Sequence, residues 1–305
     1  MKAVVYHQYG PPEVLKLAEI EKPYPKETEI LVKVHATSVT SGDVRLRSSD
    51  FPPLFWLPAR LIFGLLKPKK KILGHEFAGV VVSKGNKVTR FQIGDAVFGT
   101  TTLLRAGSHA EYVCIPETWK NGVVALKPPN LDFKSAAVLP IGAMTALFLL
   151  EKAAVQSGQN ILIYGASGSV GSYGVQIAKT MGLKVTAVCS GKNIDMVKSL
   201  GADHALDYTK KDYTQLDQQF DVVFDAVGKT NKPKAKKVLL PKGRFVSVKM
   251  LTKEKTEQLL HIKKLAEEDK IKPFIDRSFQ LEDLAEAHHY VDSGRKRGNV
   301  VVTVV

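Results

Sequence analysis

The chain has 305 residues, enough for one large or two modest domains with a substantial core, so neither disulfides nor metal are required to hold it together. Apolar residues make up 44% and charged residues 24%, which excludes disordered, collagenous and low-complexity classes. The balance of 44 Lys plus Arg against 30 Asp plus Glu leaves +14, a surplus that suits an anionic partner: nucleic acid, a membrane surface or a phosphorylated small molecule.

The only cysteines are Cys114 and Cys189, so one chain can build neither a disulfide framework nor a cysteine-rich zinc site, and a reducing cytoplasm is the expected location. Met1–Tyr6 reads as a strand, with no apolar signal segment behind it. The longest uncharged apolar run, Ser135–Leu150, contains Pro140 and Gly142 and falls short of the roughly 20 residues that a spanning helix needs.

The first part of the chain alternates short β-branched runs with turn residues, at Ile30–Val39, Phe77–Ser83, Ala96–Gly99 and Ala110–Ile115, and predicts a mostly β unit. After Lys127-Pro128-Pro129 the period changes: Leu131–Ala137 and Ala143–Ala153 read as helices. Strands at Asn160–Tyr164, Lys184–Cys189, His204–Asp207, Asp221–Ala226 and Arg244–Val248 follow, with helices at Val170–Met181 and Asn193–Leu200 between the first three. That alternation predicts an α/β unit with a parallel sheet wound by crossover helices. A helix at Leu281–Val291 and an apolar strand at Asn299–Val304 close the chain.

The most informative stretch is Ile161-Leu162-Ile163-Tyr164-Gly165-Ala166-Ser167-Gly168-Ser169-Val170-Gly171, a buried strand, a glycine-rich turn and a helix start. A backbone that approaches a pyrophosphate closely needs small residues, and a helix N-terminus offers N–H groups and a positive dipole end. The spelling is A-x-G-x-x-G rather than G-x-G-x-x-G, and the same stretch also fits a tight turn that binds nothing; its place in a repeated β/α pattern favours a dinucleotide. At the end of the next strand, Val188–Asn193, an acidic residue would select NAD. None stands there, while Ser190 and Lys192 suit a 2′-phosphate, so the expected cofactor is NADP(H), the alternative being a site that takes either form.

Several segments together resemble the medium-chain dehydrogenase/reductase superfamily: Gly74-His75-Glu76-Phe77-Ala78-Gly79, Phe91–Val97, the A-S-G-S-V-G turn, Ser199–Asp203 and Gly298-Asn299-Val300-Val301. Within it, the likeness is to the zinc-independent quinone oxidoreductase (zeta-crystallin-like) branch. The resemblance implies a GroES-like mostly-β catalytic domain over 1–126 and 272–305, around a Rossmann doubly wound parallel-sheet domain over 127–271. In the metal-dependent relatives, the catalytic zinc ligands fall at positions that hold Thr40, His75 and the stretch 141–143 here. An open zinc site needs three protein ligands, so no metal is expected and His75 reads as a hydrogen-bonded structural residue.

The resemblance also implies the site residues. Thr40 and Asp43 match the catalytic N-x-x-D stretch, with Thr40 in place of Asn and Asp43 equally suited to a helix cap or an ion pair. Pro140 and Thr145 match the positions that hold the nicotinamide. Gly168, Ser169, Val170 and Gly171 would cradle the pyrophosphate; Ser190, Lys192 and Tyr208 would take the 2′-phosphate end, although Tyr208 also suits packing at a strand end. Ala226, Val227 and Gly228 would lie beside the adenosine ribose.

Without a Lewis acid, hydride transfer to a quinone or an activated alkene (enone or enal) is easier than alcohol oxidation, because the oxyanion formed is delocalised. The expected protein is therefore a zinc-independent, NADPH-dependent quinone or enone reductase. The alternatives are a non-catalytic NADPH-binding protein with a polyanion- or membrane-binding surface, and an alcohol dehydrogenase. No specific nucleic-acid partner is expected.

Two further features stand out. Phe51–Leu66 is long and apolar and runs into Lys67-Pro68-Lys69-Lys70-Lys71. It favours a bulky hydrophobic substrate and reads first as a lid packed on its own domain or a dimer contact, with a peripheral membrane contact as the alternative. After Val248 the chain passes almost directly into a helix at Lys253–Glu268 where relatives continue through a sixth Rossmann strand, which predicts a five-stranded sheet with a shortened edge and a monomer or atypical dimer. The surplus charge is local: five basic residues and no acid lie in Arg60–Lys71, and seven and no acid in Lys229–Arg244.

Overall fold

The computed structural model describes residues 1–119 and 122–305, apart from the side chains of Leu103 and Leu104. The chain forms two compact units, one of residues 1–140, 254–263 and 275–305, the other of residues 141–253 and 264–274.

The first unit opens with strands β1 (Lys2–Val5) and β2 (Lys16–Glu19), an antiparallel pair. Strand β3 (Glu29–Ser38) leads into helices α1 (Ser41–Ser48) and α2 (Pro53–Phe63). Then come β4 (Glu76–Lys84), β5 (Ala96–Thr100), β6 (Tyr112–Pro116), β7 (Val124–Leu126) and the short helix α3 (Phe133–Ala137). Alternate residues of β3 face one core: Ile30, Val32 and Val34 pack with Phe77, Val81, Val97 and Ile115.

Helix α4 (Pro140–Lys152) leads into the second unit, where β8 (Asn160–Tyr164), α5 (Ser169–Thr180), β9 (Lys184–Cys189), α6 (Ile194–Ser199), β10 (His204–Asp207), β11 (Phe220–Asp225) and β12 (Leu239–Ser247) alternate. The strands form an all-parallel five-stranded sheet in the order β10-β9-β8-β11-β12. Ile161–Ile163 and Val222–Phe224 are fully buried, as parallel strands covered on both faces must be. This is the Rossmann arrangement, and the ligand crevice of such a sheet lies at the carboxyl ends of its strands where the order reverses, here at Tyr164 and Asp225.

Helix α7 (Thr256–Glu267) follows, and β13 (Ile275–Gln280), α8 (Leu284–Asp292) and β14 (Asn299–Thr303) then return to the first unit. There β14 pairs parallel with β13 and antiparallel with β3, extending the GroES-like sheet to seven strands. Leu284, Ala287 and Val291 of α8 bury against Leu46 of α1 and Leu73.

Two local expectations need correction, and one helix was not foreseen. Phe51–Leu66 holds a helix, α2, because Pro52 is its N-cap and Pro53 its first residue, where a missing N–H breaks no hydrogen bond. Its outward face is exposed rather than packed on its own domain. Strand β12 begins at Leu239 rather than Arg244: its register against β11 jumps from Phe220↔Leu239 to Val222↔Arg244, so residues 240–243 bulge at the sheet edge.

Candidate active site

In the second unit the turn after β8 is shaped by two glycines with no alternative. Gly165 has φ +79°, and a Cβ there would stand 2.4 Å from Val227 Cγ1. A Cβ on Gly171 would lie 2.2 Å from the Gly165 carbonyl oxygen, so α5 can approach the strand end only with glycine there. Gly168 differs: a Cβ would meet nothing closer than 3.5 Å, and its backbone is ordinary extended chain at φ −82°. The protein's own packing does not require that glycine. A group lying against the turn would, and Gly168 is the N-cap of α5, with no side-chain cap on the helix N-terminus. The cradle therefore fits the pyrophosphate of a dinucleotide.

The surrounding loops are held in place. The buried Asp225 carboxylate accepts from the backbone N–H groups of Val227 (3.3 Å), Gly228 (2.9 Å) and Lys229 (3.3 Å) and from the Ser247 hydroxyl (2.9 Å), which pins Ala226–Gly228 beside the turn. Ser190, Gly191 and Lys192 form the turn after β9, and Asn193 Nδ2 donates to Ser167 Oγ at 3.0 Å, tying this turn to the glycine loop. Tyr208 is half exposed, its ring centroid 6.5 Å from that of Tyr164. Gly142 lies on α4 where a Cβ would meet Ser169 Oγ at 2.5 Å and the Tyr173 ring at 2.9 Å, so α4 rests directly on the start of α5; Thr145 lies one turn further along α4.

One acidic group escaped the sequence reading. The end of β9 carries no carboxylate, but β10 is its neighbour, with Asp207 opposite Cys189. Asp207 Oδ1 accepts from the Thr209 N–H (2.9 Å) and hydroxyl (2.7 Å), and its carboxylate also accepts from the Gly191 N–H. These hydrogen bonds, those of Thr209 above all, hold it below the usual carboxylate range.

In the first unit, Thr40 and Asp43 form a capping box at the start of α1. Asp43 N–H donates to Thr40 Oγ1 (3.1 Å), and Asp43 Oδ2 accepts from the Thr40 N–H (2.8 Å) and hydroxyl (2.5 Å). Asp43 Oδ1 takes the Gly74 N–H (2.9 Å) and faces His75 Nδ1 at 2.6 Å. Both side chains are buried. Burial pushes the Asp43 carboxyl up, but the charge and hydrogen bond of His75 outweigh it and hold it far below the carboxylate range. Burial pushes His75 down, and Asp43 in turn raises it above an ordinary histidine. His75 Nε2 is buried with no hydrogen-bond partner among the described residues.

Two further pairs of polar side chains lie around this one. Thr100 at the end of β5 donates its hydroxyl to Glu254 Oε2, and burial keeps the Glu254 carboxyl above its ordinary range. His109 Nε2 donates to the Ser38 carbonyl at 2.9 Å, and its ring meets that of His288 edge-on at 5.9 Å. His288 Nδ1 accepts from Arg47 Nη1 at 3.3 Å, and Arg47 pairs with Asp292 at 2.9 Å. Burial holds both histidines below the ordinary value, so they are neutral. Glu254 and Thr100 are 154 residues apart and His109 and His288 179, and no local spacing announces either pair.

The metal positions do not fit zinc. Thr40 spends its hydroxyl on Asp43, the stretch 141–143 supplies no ligand, and among the described residues no three His, Cys, Asp or Glu side chains converge on a metal position. The Asp43–His75 pair has the form of the outer half of a carboxylate–histidine–metal triad.

A β-rich unit of this topology and a Rossmann unit with a glycine-rich cradle define a dinucleotide-binding dehydrogenase or reductase fold. Residues 26–128 match the alcohol dehydrogenase GroES-like domain, and residues 169–293 match the family described as zinc-binding dehydrogenase. The chain is 35% identical to a 2-methylene-furan-3-one reductase of Solanum lycopersicum and 33% identical to a chloroplastic NADPH-dependent alkenal/one oxidoreductase of Arabidopsis thaliana, covering in each case 99% of this chain and 79% of the relative. Its fold superposes on a quinone oxidoreductase of Coxiella burnetii with a TM-score of 0.85 at 30% identity, covering 100% of this chain and 99% of the other. The chain belongs to the medium-chain dehydrogenase/reductase superfamily, in its zinc-independent quinone oxidoreductase branch.

Proposed function

We propose that this chain is a zinc-independent NADP(H)-dependent oxidoreductase that reduces a quinone or an activated alkene. The observation that carries the reading is the turn at Gly165–Gly171, where Gly168 is left small for a ligand rather than for the fold. Gly168–Gly171 hold the pyrophosphate, Ser190, Lys192 and Tyr208 the 2′-phosphate, Ala226–Gly228 the adenosine ribose, and Pro140 and Thr145 the nicotinamide. Asp207 sets the strength of the NADPH preference, because a carboxylate beside the Ser190–Lys192 turn opposes part of the attraction of Lys192 for a 2′-phosphate. When bound, the cofactor supplies the hydride.

On the substrate side, Asp43 acts as a positioning residue. It orients His75 and stabilises its charged form, so that Nε2–H can donate to the oxygen on which negative charge develops. Thr40 fixes Asp43 through the capping box. Glu254, whose carboxyl burial raises above its ordinary range, is the nearby acid group for protonating the reduced product. The relatives' names fit this chemistry, since an enone, an alkenal and a quinone all place a carbonyl in conjugation with the carbon that accepts hydride.

The edge strand β12 carries Pro241, a bulge, Lys242 and Arg244, devices that discourage pairing through a sheet edge, so we read the chain as a monomer or as a dimer formed elsewhere. Burial raises both thiols, Cys114 and Cys189, to about 11, which leaves them unreactive and suits a cytoplasmic setting. The test is product analysis after incubation with NADPH and a simple enone. The saturated ketone is expected; an allylic alcohol overturns the reading, as does the absence of product here together with no reduction of a quinone.

A further inference from the structure

We propose that helix α2 and the lysines that follow it form a docking surface for an anionic lipid bilayer. A helix on the surface of a globular protein normally buries its apolar stripe and turns charged residues to water. Helix α2 does the reverse. Ala59 is buried, and Arg60 and Phe63, both half-buried, lie on the same arc, which also carries Trp56. The opposite arc, about 160° wide, carries Leu54, Phe55, Leu57, Pro58, Leu61 and Ile62. All six are exposed, Leu54 at 81%, and no polar side chain interrupts them.

The polar groups of this region are used to fasten the helix from beneath. Arg60, its only charged residue, lies over the Tyr9 ring at 4.0 Å and donates to Ser49 Oγ at 3.1 Å and to the Leu65 carbonyl. Tyr9 donates to the Gly64 carbonyl at 2.9 Å, Lys69 Nζ to the Leu61 carbonyl at 2.8 Å, and Phe63 stacks on Phe51 at 5.9 Å. The helix is thus anchored on one side and bare on the other. The bare face continues into Leu66, 87% exposed, and ends at Lys67, Lys70 and Lys71, all exposed; no acidic residue occurs between Phe51 and Gly74.

An apolar face edged by cations and free of acids matches the boundary between acyl chains and anionic headgroups. A second copy of the chain is the poorer occupant. A two-fold contact through this face would place two like-charged lysine clusters at one interface, with no carboxylates of their own to meet them. Helix α2 is also too short to span a bilayer, and among the described residues no helix is long and apolar enough to do so, so the contact is peripheral.

Vesicle flotation with the full chain tests this without turnover, so its outcome is independent of the catalytic reading. Vesicles of phosphatidylcholine with about one third phosphatidylglycerol should bind the protein, neutral vesicles should bind it much more weakly, and salt should release it. The double variant Leu54→Glu/Leu61→Glu should lose binding. Lys67→Gln/Lys70→Gln/Lys71→Gln should weaken it by up to about a hundred-fold, at roughly five-fold per lysine. These positions are exposed, so circular dichroism and the thermal denaturation midpoint should match the parent. No binding to the anionic vesicles, or binding that survives both variants, overturns the proposal. Sedimentation as a dimer that only the Leu54/Leu61 variant dissolves, without vesicle binding, assigns the face to a second copy instead.

Discussion

The glycine-rich turn permits a comparison in which two neighbouring substitutions should fail for opposite reasons. Gly168→Ala adds a methyl group that meets no protein atom within 3.5 Å, at a backbone conformation alanine adopts freely. Its effect on the fold is that of replacing glycine by alanine at a helix N-cap, below about 1 kcal/mol, or a Tm shift of no more than about 4 °C for a chain of this size. Its effect on the cofactor is larger, because the methyl group occupies the space through which backbone amides reach the pyrophosphate. Losing one hydrogen bond to a charged oxygen is worth about 1.5–3 kcal/mol, so NADPH should bind roughly 10- to 100-fold more weakly. Gly171→Ala instead drives a methyl group to 2.2 Å from the Gly165 carbonyl, a backbone contact that cannot rotate away, and should destabilise the protein by about 1–3 kcal/mol or more. Thermal denaturation and NADPH fluorescence titration on both variants read the two effects separately. A Gly168→Ala variant that binds NADPH within two-fold of the parent would refute the assignment of this turn to the cofactor.

Lys192→Ala should weaken NADPH by roughly 10-fold or more while leaving NADH nearly unchanged, and Asp207→Asn should shift the preference further toward NADPH; kcat/KM with each cofactor checks both. His75→Gln should lower kcat about 100-fold with little change in KM, as the loss of an oxyanion donor does, and an equal rise in KM would point to simple binding instead. Asp43→Asn breaks a fully buried ion pair and should cost about 3–5 kcal/mol. The pH dependence has a defined sign. The Asp43 contribution, with the carboxyl lowered in the fold, is present above the normal carboxylate pKa and lost only in strong acid. That of His75, raised in the fold, is complete below the normal histidine pKa and lost as pH rises through the raised value. The Tm gap between parent and Asp43→Asn should therefore be widest near mildly acidic pH and narrow in alkali, and a gap that grows with pH would contradict the pairing.

The parts legible in the sequence were those written in local pattern. Strands β8, β9 and β10 fall where apolar runs between turn residues place them, and the missing sixth strand emerges as a five-stranded sheet. Helix α2 was hidden because Pro52, Pro53 and Pro58 argue against a helix, although two of them sit at its start where proline is harmless. Strand β13 was missed because Ile275–Gln280 is polar and half exposed, and only pairing with β14 makes it a strand. Asp207 became visible through the parallel register of β9 and β10, and Glu254 through a hydrogen bond to a residue 154 positions away. The segment after β12 carries no periodicity that would announce a site residue. Contacts of that range depend on topology, which a strand-by-strand reading does not contain.

The central claim is hydride transfer to a conjugated acceptor without zinc. It is tested most directly by NADPH oxidation against enones, quinones and simple ketones, with metal content measured on the same sample. Turnover of enones or quinones, inertness toward simple ketones and less than stoichiometric zinc are predicted. Turnover of simple ketones that tracks bound zinc and is abolished by a chelator would contradict the account.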